Sequence, residues 1–228
     1  MSEHVITREA LLSGHVQRMA REGNPGFTPL SEEEMAASRA ATLAACPDRG
    51  DGSVWVFGYG SLIWNPAFHF VETRVGVAHG WHRRFCLWTL MGRGSPEQPG
   101  LMLGLDRGGR VGGLALRIAP EAVEQETALI WRREMVGNAY VPRWLKLQTA
   151  QGPVQAIAFT INRAHPRYLP HIDDAEAARV IAVACGRLGP CADYLFNTHR
   201  HLAELGLPDR RLRRLTELVR RELAARGV

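Results

Sequence analysis

VWVFGYGSLIWN, residues 54–65, is the stretch on which the reading of this chain turns. It opens as a strand, with side chains alternating between two faces, and Gly58 and Gly60 then break the pattern around Tyr59, Ser61 and Leu62. Glycines lack a Cβ, so they free the main chain to take unusual dihedrals. They also admit another molecule close to the amide N–H groups, which an anionic or carbonyl-bearing ligand needs. The competing reading is an ordinary bulge or tight bend, the usual meaning of an isolated strand glycine. The stretch by itself leaves both readings open.

Downstream of Pro66 the chain carries three segments of strand character: Phe68–Val71, Arg74–Ala78 and Arg83–Trp88. A turn-rich loop from Met91 to Gly100 follows. LMLGLD and RVGGLALRI then read as a hairpin about a Gly108–Gly109 turn. A second hairpin is expected from AYVPRWLKLQT and VQAIAFTIN, joined at Gln151–Pro153, and residues 162–170 form a loop. Gly76, Gly104, Gly112 and Gly113 suit the corners of a strongly bent sheet. Helices are expected from about Ala175 to Arg187, from Ala192 to Leu205, and from Asp209 to the end. Central strands with helices inserted and gathered at the C-terminus define an α+β fold, its sheet antiparallel or mixed and open to closure as a barrel.

Upstream, residues 1–52 read as a helical extension and linker. Thr7 caps one helix, GNPGFTP (23–29) breaks the chain, and Ser31 with Glu34 forms a capping box for a second helix ending near Cys46. These residues show no chemistry and read as an extension that packs on the domain spanning 53–228, with partner binding as the other reading.

Composition excludes several classes. The 228 residues suffice for one well-packed domain with an extension. No apolar run reaches membrane-spanning length, and Glu3, His4, Arg8 and Glu9 interrupt any secretory leader, so a cytoplasmic protein without a membrane partner is expected. Much of the excess behind the net charge of +5 lies in the last helix, where arginines alternate with leucines. That is a solvated helix face rather than a nucleic-acid surface, which would interleave aromatics or carry a known motif. Cys46, Cys86, Cys185 and Cys191 form no CxxC pair, and Cys86 within FCLW suits packing. The histidines form no HxxxH or HExxH pair, so no metal is expected. GYGSLI lacks the third glycine of a dinucleotide fingerprint and the lysine of a P-loop, and Ser61 is not in a GxSxG elbow.

The helix PEAVEQETALIWRREM, from Pro120, places Val123, Thr127, Ile130 and Glu134 on one face. Glu134 thus continues a buried stripe, while Glu121, Glu124 and Glu126 fall on solvated faces. A carboxylate facing inward is either paired with a buried cation or functional, because an unpaired buried charge is costly. Adjacent helix positions do not face one another, which argues against Arg133 as its partner. The helical pattern leaves the two roles open.

Five segments in this order resemble the ChaC family of γ-glutamylcyclotransferases: VFGYGSLIWNP (56–66), GWHRRFC (80–86), PGLMLGLD (99–106), RREMVGNAY (132–140) and GPCADYLFNT (189–198). The resemblance covers Val54 to the C-terminus and implies a small mixed β-barrel flanked by helices. It implies that Tyr59, Gly60, Ser61 and Leu62 present backbone amides to a γ-glutamyl group and that Glu134 is the catalytic acid/base. Tyr140 and Tyr168 resemble the family's substrate-contacting tyrosines. The implied reaction is a lyase-type intramolecular aminolysis of glutathione that releases 5-oxoproline and Cys-Gly and needs no cofactor. Other γ-glutamyl peptides or γ-glutamylamines are the alternative substrates, and a non-catalytic binding module would lack Glu134. The eukaryotic motif reads REKGGY, so RREMVGNAY departs from it in length and in the residue after the glutamate, toward the bacterial form.

Overall fold

Strand β1 (Val54–Gly58) is short and enclosed on both faces. Val54 and Val56 point to one side, against Ile130 and Trp131, while Phe57 points into the interior with Leu103, Leu105 and Ala115. The computed structural model describes residues 5–22, 28–48 and 50–227. Five strands, β1 with β2 (Glu72–Thr89), β3 (Gly100–Ile118), β4 (Tyr140–Thr149) and β5 (Val154–Ile161), close a barrel in the order β1-β3-β2-β4-β5. Its neighbours are antiparallel except that β5 runs parallel to β1, closing the ring, and to β3 at Leu105–Thr160. The α+β mixed barrel expected from the sequence is the observed architecture.

Two features of the strands differ from the sequence reading. Residues 68–71 form no strand, and the two segments that follow them are parts of one 18-residue strand, β2. Gly108–Gly109 is not a hairpin turn either: β3 runs through it for 19 residues, and the hairpin joins β2 to β3 through residues 90–99. Both glycines have positive φ, as does Gly80 opposite them, where the register shifts between His79 and Trp81. Glycine conformational freedom thus bends two long paired strands together instead of reversing one. At Gly113 the need is for space, since a Cβ there would lie 2.4 Å from the Gly58 carbonyl oxygen and 2.6 Å from the Phe57 ring.

Helices α1 (Arg8–Leu12), α2 (His15–Glu22) and α3 (Glu32–Ala44) precede the barrel. Thr7 caps α1 and the Ser31–Glu34 capping box is formed, as expected. Most of the 23–29 breaker lies outside the described residues. Helix α4 (Val123–Glu134) begins after a 3₁₀ turn at Pro120–Ala122. Helix α5 (Asp174–Val183) ends earlier than expected, because Cys185–Gly186 and Gly189–Pro190 pair as a two-residue ribbon, β6 and β7. Helices α6 (Cys191–Glu204) and α7 (Arg210–Ala225) complete the chain. Leu212, Leu215 and Val219 carry the buried side of α7, and most of its arginines lie outside. No described helix is long and apolar enough to cross a membrane.

Candidate active site

The turn after β1 and the last residue of α4 meet at one cavity of about 150 Å³. Ser61–Ile63 form a 3₁₀ turn. Its hydrogen bonds use Ile63, Trp64 and Asn65 as donors, so the amides of Gly60, Ser61 and Leu62 fall at the open start of the turn, where N–H groups have no partner within it. Neither Gly58 nor Gly60 has positive φ. Their reason is close approach: a Cβ on Gly58 would sit 3.2 Å from the Leu62 backbone, and one on Gly60 would sit 3.0 Å from the Tyr194 hydroxyl.

Glu134 ends α4 and faces the cavity with 15% of its side chain exposed. Burial raises its pKa above the ordinary 4.5, and the Arg133 cation and hydrogen bond oppose that rise. A helix C-terminus, with its negative dipole end, also disfavours an ionised carboxylate. Arg133 is the partner that the helical pattern argued against: its Nε lies 3.1 Å from Glu134 Oε1. The helix terminates at Glu134, so the rule for mid-helix neighbours does not hold there. The same guanidinium donates to Ser61 Oγ at 2.9 Å, to the Pro66 carbonyl at 3.2 Å and to the Asn65 carbonyl. Arg133 therefore fastens the acid to the turn.

Three tyrosines surround these groups, and burial raises the pKa of each. They stay protonated as donors near neutral pH. The Tyr59 hydroxyl donates to the Phe159 carbonyl at 2.6 Å and that of Tyr140 donates to the Leu103 carbonyl at 2.9 Å. Tyr194, on α6, lines the cavity beside Gly60.

Of the residues singled out from sequence, Tyr59, Gly60, Ser61, Leu62, Glu134 and Tyr140 line this cavity. Tyr168 does not; its hydroxyl donates at 2.9 Å to the buried Asp106, which also pairs with Arg84 and the exposed Arg163. Sequence reasoning missed Tyr194 and Arg133. GPCADYLFNT held the first, but nothing in its spacing shows that α6 crosses the β1 turn, where Trp64 Nε1 donates to Thr198 Oγ1 at 3.1 Å. Glu126 corrects a further expectation. It is buried, not solvated, and binds Arg8 through both oxygens, at 2.5 and 2.8 Å, while accepting the His69 amide. Its cation comes from α1, more than a hundred residues earlier.

The closed barrel with its packed helices is the fold of solved γ-glutamyl cyclotransferases. A yeast γ-glutamyl cyclotransferase specific to glutathione superposes with a TM-score of 0.70 at 21% identity, over 75% of this chain and 97% of that one, a likeness of fold. The family profile described as ChaC-like protein matches residues 54–222. The chain is also 47% identical over 195 residues to the glutathione-specific γ-glutamylcyclotransferase of Escherichia coli K12, covering 85% of this chain and 84% of that protein. Glutathione-specific γ-glutamylcyclotransferase 1 of Danio rerio is 34% identical over 151 residues, 64% of this chain and 77% of that protein. The chain belongs to the ChaC family.

Proposed function

We propose that this protein is a glutathione-specific γ-glutamylcyclotransferase, with Glu134 as its general acid/base. The observation that supports this is Arg133, which pairs with the raised-pKa carboxylate of Glu134 and donates to Ser61 of the Tyr59–Leu62 turn in the cavity that both line. In the reaction, the α-amino group of the γ-glutamyl unit attacks its own γ-carbonyl. The C–N bond to the departing amine breaks, giving 5-oxoproline and Cys-Gly. The nucleophile must first lose an ammonium proton, and the leaving nitrogen must gain one. One carboxylate with a pKa drawn toward neutrality serves both steps. The turn amides hold the substrate folded on itself and stabilise the oxyanion, a contribution on the order of 3 kcal/mol per donor.

The charge of the cavity supports an acidic substrate. Among the described residues, Arg93, Arg133 and Arg167 line it with one carboxylate, Glu134, and glutathione carries two carboxylates and one ammonium. Tyr140 is assigned to substrate contact from within the cavity. Tyr168 is assigned an indirect role, holding Asp106 behind the wall.

Purified protein incubated with glutathione, γ-glutamyl dipeptides and a γ-glutamylamine, with 5-oxoproline and Cys-Gly quantified, tests the reading. Preferential turnover of glutathione is expected. Equal or better turnover of the amine substrate would transfer the assignment to γ-glutamylamines.

The pH dependence has a definite sign. The base must be ionised in the free enzyme, and burial raises its pKa above 4.5. The acid limb of kcat/KM should therefore fall away at a pH higher than an ordinary glutamate would give. A limb at or below 4.5 would remove Glu134 as the base. Gly60→Val should drive a branched side chain onto the Tyr194 hydroxyl, an overpacking that costs about 1–3 kcal/mol of stability, and by displacing the turn should raise KM. An unchanged KM would show that the turn does not touch the substrate.

A further inference from the structure

Helices α1 and α2 lie before the residues that the family profile matches, yet Ile6, Val16 and Met19 line the same cavity as Glu134. Val16 and Met19 are each 2% exposed. The helices are fastened at several points. Arg8 binds Glu126 through both oxygens, the Asn65 side-chain amide donates to the Ile6 carbonyl at 3.0 Å, and the Gln17 amide donates to the Arg132 carbonyl at 3.2 Å. Leu11, Val16 and Ala20 pack with Leu129 of α4 and Val136 just beyond it. Asn65 and Arg132 adjoin the groups that hold the acid, since the Asn65 carbonyl accepts from Arg133.

We infer that α1 and α2 form a wall of the reaction cavity that reads the departing amine of the substrate, with Val16 and Met19 as specificity-determining side chains. This rests on the cyclotransferase reading above. The γ-glutamyl unit carries an ammonium and a carboxylate, and burying either without a partner is costly, so it takes the side formed by Glu134, Arg133 and the turn amides. What α1 and α2 contribute is apolar. The side chain of the departing amine is left to that face, where Met19, with Met91 nearby, offers thioether contacts that adapt to a small sulfur-bearing group.

The test compares glutathione with γ-glutamyl methylamide, whose departing amine ends in a single methyl. Met19→Ala should lower the ratio of kcat/KM for glutathione to that for the methylamide about tenfold, the scale of discrimination set by a small apolar contact. Arg8→Ala, which removes an attachment outside the cavity, should move the ratio in the same direction and covers the case in which Met19→Ala fails to fold. A ratio that stays at the native value in both variants, or equal losses on both substrates, overturns the inference. Calorimetric dissociation constants of the two compounds on Glu134→Gln protein read the binding part of that discrimination without turnover. Native protein that binds glutathione with a ratio sensitive to Met19 but releases no 5-oxoproline would overturn the cyclotransferase reading and leave the wall standing. Native protein that binds neither compound would overturn both.

Discussion

Glu134→Gln is expected to lower the rate of 5-oxoproline release from glutathione by about a thousandfold, within the range that a positioned acid/base contributes. The amide keeps the shape of the side chain and can accept a hydrogen bond from Arg133, but it can neither take the ammonium proton nor deliver one. Two effects on stability oppose one another near neutral pH: the buried Arg133 cation loses its carboxylate partner, and the burial penalty on Glu134 is relieved. Burial raises the folded-state pKa of Glu134, so the fold favours its protonated form. That contribution is fully present below the unfolded value, near 4.5, and is lost as pH rises through the folded value. At neutral pH the native protein holds a partly buried carboxylate that burial disfavours, and glutamine removes that penalty. Thermal unfolding and 5-oxoproline release measured on the same preparation check both halves. A folded variant with native turnover would end the assignment of Glu134, and an unfolded one would show that its role in the Arg133 network is chiefly structural.

Arg133→Met is expected to have the larger structural effect. The guanidinium is buried and makes four contacts, to Glu134, Ser61, Asn65 and Pro66, that methionine cannot replace. Removing one partner of a buried ion pair costs about 3–5 kcal/mol, because it leaves the other charge uncompensated. Glu134 can relieve that cost by taking a proton. Arg133 opposes the burial-driven rise of its pKa, so the variant should have an acid limb displaced to still higher pH. Arg133→Lys separates the two effects. It restores a positive charge and should return the limb toward its native position, but an ammonium lacks the planar fork that spans Ser61 and Glu134. KM should be raised in both variants, because neither holds the turn through that fork. Chemical denaturation of all three proteins, with pH profiles of kcat/KM, reads the outcome. A limb unmoved in Arg133→Met would show that Arg133 does not set the ionisation of Glu134.

The site was legible to different depths. The glycine turn could be located because a broken strand pattern is a local signal, and Glu134 stood out because one carboxylate sat on an apolar helical stripe. The reason for the glycines was not local. Their backbone is not left-handed, and what excludes a Cβ is Leu62 for Gly58 and Tyr194, from a distant helix, for Gly60. The rule that excluded Arg133 describes neighbours within a helix, and α4 ends at Glu134. Glu126 looked solvated because periodicity places a residue on a face but cannot say that another helix will cover that face.

The sequence by itself determined the element types, the α+β class, the turn that carries Tyr59–Leu62, the inward acid and, through its ordered motifs, the family. Helix caps, glycine breaks and apolar periodicity are short-range, so they can be read along the chain. Only the tertiary structure decided that Gly108–Gly109 bends a strand instead of ending it, because that depends on the strand paired alongside. It alone brought Arg133 across to Ser61, set Tyr194 against Gly60, and laid α1 and α2 along the cavity. Each of these joins residues far apart in the chain or at the end of an element. There the closed barrel and the helices packed around it, not local propensity, fix which side chains meet.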